Sequence, residues 1–215
     1  MQTETAAAPA IPRSLFVYSI FYGGMVCIAG MLANKQIALG PLAVEAGILA
    51  FLLLVVLSSS VAELHGRDVA NRLVRIGFVP LIASILLLSL VLALPAAQGM
   101  DADRLKGFQL VLGQSPRVMV AGIIAYGTSQ TLNVTIFSRL RRETGRMLWL
   151  RAGVASVLSQ IVDTLLFISI AFYDVFPIRT LLLGQMLAKV VLSAVLVPPL
   201  IYLFVGLGRR LDARG

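Results

Sequence analysis

Charge is scarce in this chain. Only 13% of its 215 residues are Asp, Glu, Lys or Arg, against about 25% in soluble domains. So few charges cannot cover a water-facing surface, which argues against a soluble globular fold. Cysteine is nearly absent. The single Cys27 allows no internal disulfide and no cysteine-based metal site. His65 is the one histidine, so His-cluster metal chemistry is excluded too. Neither a metal nor a cofactor is expected. Sequences that carry chemistry are also missing. The chain contains no GxxxxGK[ST], no HExxH, and no GxSxG in a strand–turn–helix context, so no enzyme activity is expected. Without an ATP-binding loop, any solute movement must use an ion gradient, a partner subunit or downhill flux.

What the chain has is apolar length. It is 59% hydrophobic, with a mean hydropathy of +0.93. A bilayer-crossing helix needs about 20 apolar residues. Six stretches qualify: Ser14 to Ala33, Pro41 to Ala62, Leu73 to Leu94, Arg117 to Ser138, Ala152 to Tyr173 and Thr180 to Leu207. The expected fold is therefore an all-α integral membrane protein with six transmembrane helices. Residues 1–12 read as a flexible N-terminal tail rather than a signal peptide. Residues 13–208 form one transporter-like domain, and 209–215 a basic C-terminal tail. Within the longest connection, DADRLKGFQLVLG at 101–113 suggests a short interfacial amphipathic helix.

The net charge of +8 and the pI near 10.4 come from short loops, not from a basic face that would hold nucleic acid. Six spans place both termini on one side. That side collects Arg13, Arg67, Arg72, Arg75, Arg139, Arg141, Arg142, Arg146, Arg151, Arg209, Arg210 and Arg214. The other side has Lys35, Arg104, Lys106, Arg117 and Arg179. The positive-inside bias then predicts cytoplasmic N- and C-termini. Trp149, beside the basic loop, fits the interfacial aromatic belt. Pro80, Pro198-Pro199 and Gly23-Gly24 lie within spans, where they read as kinks or close-packing points.

A few polar residues interrupt the apolar runs. SQIVDTLLF at 159–167 puts Gln160 and Asp163 three apart on one helix face. SQTLNVTIF at 129–137 repeats that spacing with Gln130 and Asn133. Consecutive spans run antiparallel, so the pair has the form of an inverted repeat, a common site interface in transporters. Lys189 is another charge inside a span. A carboxylate at the bilayer centre costs about 2.5–3.5 kcal/mol on insertion scales, so a partner is expected. Asp163 and Lys189 could form a structural ion pair tying two spans together. They could instead line a polar cavity that binds a planar, hydrogen-bonding solute. Both hold if the pair forms only when the site is empty. Glu63 lies near a span end, and Asn34 and Arg117 fit interfacial anchors.

Several segments carry a family resemblance. They are LANK at 32–35, AELHGRDVANRLVRIG at 62–77, SPR at 115–117, QTLNVTIFSRLRRETG at 130–145, LWLR at 148–151, ASVLSQIVDTLLFISIAF at 155–172 and AKVVLSAVLVPPLIY at 188–202. In this order they resemble the queuosine precursor transporter family, also described as the vitamin uptake transporter type. The resemblance implies a multi-pass importer of the bacterial inner membrane, with no catalysis. Its solutes would be 7-deazaguanine bases, precursors of a modified tRNA nucleoside. Asp163 and Gln160 are the expected recognition pair. Glu63, Asn34, Arg117, Gln130, Asn133 and Lys189 are further binding candidates, and Phe167 or Tyr126 would stack on the ring. Ser59 and Asn133 stand where the family commonly has Asp, His65 where it has Tyr, and Leu52 where it has Pro. The loss of two carboxylates bears on the exact solute and on proton coupling. The alternative is the substrate-binding membrane subunit of an energy-coupling vitamin importer, which would co-purify with an ATPase. A membrane scaffold without transport is a third reading. Beyond the bilayer and a purine-like base, a homodimer is compatible with so small a chain.

Overall fold

In the computed structural model, the described residues are 11–39, 42–113, 116–143, 147–173 and 178–213. Arg146, Arg214 and most of the N-terminal tail lie outside them. Helix α1 spans Arg13–Leu32 and is followed by a hairpin of β1, Gln36–Leu39, and β2, Leu42–Glu45. Then come α2, Ile48–His65; α3, Arg67–Ile76; α4, Phe78–Ala93; and α5, Ala102–Leu112. Three long helices close the chain: α6, Pro116–Glu143; α7, Leu148–Phe172; and α8, Ile178–Ala213. Counting α3 with α4, six helices among the described residues are long and apolar enough to cross a membrane.

Exposure shows that this bundle lives in lipid. On α4, Leu86, Leu87 and Leu90 are 65%, 61% and 58% exposed. Such a face is stable against acyl chains and unfavourable against water. Helix α2 is the central strut, with Leu52, Leu54, Val55 and Leu57 all buried. Phe137 of α6 and Ile201 of α8 complete the same core.

The second span differs from its expected start at Pro41. Residues 42–45 pair antiparallel with 36–39, with Gln36 opposite Glu45 and Ile37 opposite Val44. The helix begins only at Ile48. QIALGPLAVE is apolar almost throughout, and such a run does not distinguish strand from helix by periodicity. Backbone at membrane depth that is not helical must be covered by protein. Val44 is buried, and Ala46 N–H donates to the Lys35 carbonyl at 2.7 Å.

The third span is jointed. Gly66, at φ +91°, ends α2 in a conformation that costs a glycine little. Gly77 separates α3 from α4 and admits two aromatic rings close to the backbone. A Cβ there would overlap the Tyr126 hydroxyl and lie 2.8 Å from Tyr22 Cε1. Pro80 consequently sits in the first turn of α4, where a missing N–H is tolerated. Pro198 and Pro199 lie within a continuous α8. The amphipathic segment of the long connection is α5, whose Asp101 caps it by accepting from Arg104 N–H at 2.9 Å.

Side-chain bonds tie the ends of the spans. Ser14 on α1 donates to Asp212 on α8 at 2.8 Å, and its hydroxyl is 2.7 Å from His65 Nε2 on α2. Tyr18 donates to the Phe204 carbonyl. The beginning of α1 and the end of α8 therefore lie at the same end of the bundle, as six spans require.

Candidate functional site

The interior charges come from facing helices. Asp163 stands in the middle of α7 and Lys189 in the first half of α8. Lys189 Nζ lies 3.3 Å from Asp163 Oδ2, and their side chains are only 6% and 7% exposed. Ser129 of α6 donates to Asp163 Oδ1 at 3.1 Å. One carboxylate thus joins α6, α7 and α8. Lys189 also lies 6.0 Å from the Phe51 ring centre, within cation–π range.

This pair borders a cavity of about 130 Å³. Phe51, Tyr126 and Phe167 contribute aromatic surface, and most of the remaining wall is aliphatic. A second carboxylate reaches it from the hairpin. Glu45, the last residue of β2, lines the cavity and accepts from Gln185 Nε2 at 3.2 Å. The sequence reading missed Glu45, because it assigned that residue to the interior of a second span. Its signal was available: a lone carboxylate in an apolar run, near a Gly-Pro pair. An apolar chamber with a few fixed polar groups is the usual form of a small-molecule site. The carboxylate has about four lone-pair positions, and Ser129 and Lys189 use two.

Of the predicted residues, Asp163 and Lys189 meet in the cavity, and Tyr126 and Phe167 line it with them. The others lie elsewhere. Gln160 is buried, its Oε1 without a partner among the described residues, and it does not line the chamber. Asn133 donates to Ser58 at 3.2 Å and to Ser59 at 3.0 Å. Gln130 accepts from Ser58 at 3.3 Å. Those two amides therefore join α6 to α2, and the two similar motifs touch through Ser129 and Asp163. Glu63 binds the buried Arg151 at 2.9 Å. Arg151 also donates to the Phe137 carbonyl and lies 4.3 Å over the Phe137 ring centre. Arg117 donates to the carbonyls of Ile170 and Tyr173 at 2.6 and 3.0 Å, closing the C-terminal end of α7. Asn34 donates to the Val111 carbonyl at 2.8 Å, holding α5 against the end of α1.

Six apolar spans among the described residues, with an ion pair buried between them, define a multi-pass membrane protein. Residues 45–204 match the model of the family described as "Putative vitamin uptake transporter". The chain belongs to that family, whose members are transporters rather than enzymes. Glu45, Asp163 and Lys189 all fall within the matched region. The chain is similar to a Bacillus subtilis (strain 168) protein named "Probable queuosine precursor transporter". Identity is 33% over 118 residues, covering 54% of this chain and 50% of that protein. The match thus spans half the length of that relative. An Escherichia coli (strain K12) protein named "Queuosine precursor transporter" is 24% identical over 161 residues, covering 75% of this chain and 70% of the relative. No solved structure matches.

Proposed function

We propose that this protein imports queuosine precursors, 7-deazaguanine bases, through the chamber bordered by Asp163 and Lys189. The observation that carries the reading is the buried Asp163 carboxylate beside an apolar cavity that Phe51, Tyr126 and Phe167 help to line. A guanine-like edge presents a ring N–H and an amino group side by side, and one carboxylate can accept both. The base's carbonyl and ring nitrogen then require donors, and Lys189, which borders the chamber, would supply one. Phe51, Tyr126 and Phe167 offer π faces to the ring. The names of both relatives support this solute class. Selectivity follows from cost, because a solute that leaves a buried polar group unpaired loses affinity steeply.

Lys189 bonds one oxygen of the carboxylate, and an arriving base would share the carboxylate with it. Ser60, Ser156, Gln160 and Ser193 hold buried oxygens without partners among the described residues. They lie between the chamber and the Glu63–Arg151 pair along α2, α7 and α8. Unpaired groups of this kind are costly in a dry interior. We read them as the inward leg of the path, hydrated when the bundle opens at its arginine-rich end. The positive-inside bias assigns that end, with both termini, to the cytoplasm.

The test is thermal stability of the purified protein against guanine, adenine and the cyano- and aminomethyl-substituted 7-deazaguanines, with Asp163→Asn alongside. A ligand at 100 times its dissociation constant adds about 2.7 kcal/mol. A deazaguanine is expected to stabilise the wild type and leave Asp163→Asn unmoved. If no base shifts the wild type, the assignment of solute is wrong.

A further inference from the structure

A second cavity lies at the arginine-rich end, bordered by the end of α2, the start of α3, the end of α6 and the start of α7. Its volume is about 440 Å³, and its polar lining comprises Arg67, Thr135, Ser138, Arg139, Arg141 and Arg151. It shares no lining residue with the solute chamber. Four guanidiniums border one hollow, and among the described residues no carboxylate lines it. Glu63 reaches Arg151 at 2.9 Å without lining the cavity itself.

Charge bias alone would scatter arginines over a solvated loop. Three features here go beyond scatter. Arg151 is only 2% exposed. Its position is set by Glu63, the Phe137 carbonyl and the Phe137 ring. Arg67 is joined to the cavity wall by a 3.3 Å bond to Thr135. The Ser138 hydroxyl is buried and has no partner among the described residues. Buried hydroxyls are normally satisfied, so this one is left to bond with whatever enters the cavity. Converging guanidiniums with a hydroxyl donor suit a tetrahedral oxyanion, which arginine binds through two parallel N–H bonds. Basic pockets between membrane helices take lipid head groups by the same chemistry.

We infer that this cavity binds a phosphate group, carried by an anionic phospholipid or by a free phosphate. Arg139 and Arg141 are exposed and grip the oxygens from the rim. Ser138 donates from the wall, and Arg151 sets the positive floor. An occupant would join α2, α3, α6 and α7 at the end where the Glu63–Arg151 pair lies. The site stands whether or not the solute is a deazaguanine.

The experiment uses the full chain in neutral detergent, at constant ionic strength so that screening does not vary. Melting temperature is titrated with phosphatidylglycerol, phosphatidylcholine and inorganic phosphate. The double variant Arg139→Gln/Arg141→Gln is compared with Arg209→Gln/Arg210→Gln, which removes equal charge outside the cavity. Saturable stabilisation by phosphatidylglycerol but not phosphatidylcholine is expected, weakened about tenfold or more per lost guanidinium contact in the first variant only. Ser138→Ala, which touches no ion pair, should weaken it about fivefold. Phosphatidylglycerol acting alone identifies a lipid head group; inorganic phosphate acting as well identifies a free phosphate ligand. Equal weakening in both double variants, or no saturable effect of either probe, overturns the site.

Discussion

Replacing Asp163 with Asn gives the sharpest test of how the interior is held together. The substitution preserves shape and removes one charge. Lys189 then remains in a dry interior, 6% exposed, facing an uncharged amide. Its other close neighbour is the Phe51 ring at 6.0 Å, whose attraction of about 0.5–2 kcal/mol does not replace a carboxylate. Removing one partner of a buried pair costs about 3–5 kcal/mol. At about 2–4 °C per kcal/mol for a chain of this size, melting should fall by about 6–20 °C. Adding Lys189→Met removes the stranded charge and replaces it with apolar volume. Neutralising a whole buried pair is often close to neutral in stability, so the double variant should regain most of the loss. The assay is thermal unfolding of the two singles and the double in one detergent. If Asp163→Asn melts within about 1 °C of wild type, or if the double melts as low as the single, the stranded charge is not the cause and the reasoning fails.

The remaining predictions follow the same logic of named contacts. Gly77→Ala places a Cβ against the Tyr126 hydroxyl and 3.1 Å from the Val74 carbonyl. It should cost about 1–3 kcal/mol as overpacking, with part recovered in a Gly77→Ala/Tyr126→Phe double that melts higher than the single. Glu63→Gln strands Arg151 and should cost about 3–5 kcal/mol, most of it regained with Arg151→Met, read again by melting. Ser14→Ala removes the hydroxyl between Asp212 and His65. A loss of about 1–3 kcal/mol is expected, with faster amide exchange in the last turn of α8.

Much of the architecture was legible because lipid imposes simple rules. Residues 14–33 and 152–173 were expected as spans and are helical over Arg13–Leu32 and Leu148–Phe172. A satisfied backbone in hydrocarbon leaves few choices for an apolar stretch of that length. The hairpin was not legible, since Leu39, Leu42 and Val44 read as either strand or helix. Its strands form where α8 packs against β2 and covers it, a contact that local sequence does not encode. Glu45 entered the chamber for the same reason.

The sites were legible only in part. Periodicity put Gln160 and Asp163 on neighbouring positions, yet only Asp163 reaches the chamber. Gln130 and Asn133 turn to the serines of α2 instead. Spacing along one helix tells which residues share a side; it does not tell which helix that side meets. The sequence by itself determined the six apolar spans, the arginine bias of one end and the need for Asp163 to find a partner. Each follows from one segment's own transfer energy. The tertiary structure decided that the partner is Lys189 with Ser129, that Glu45 joins them and that Glu63 belongs to Arg151. Those pairings depend on how each helix is rotated against its neighbours. That rotation is set by close contacts between distant residues, such as Gly77 against Tyr22 and Tyr126.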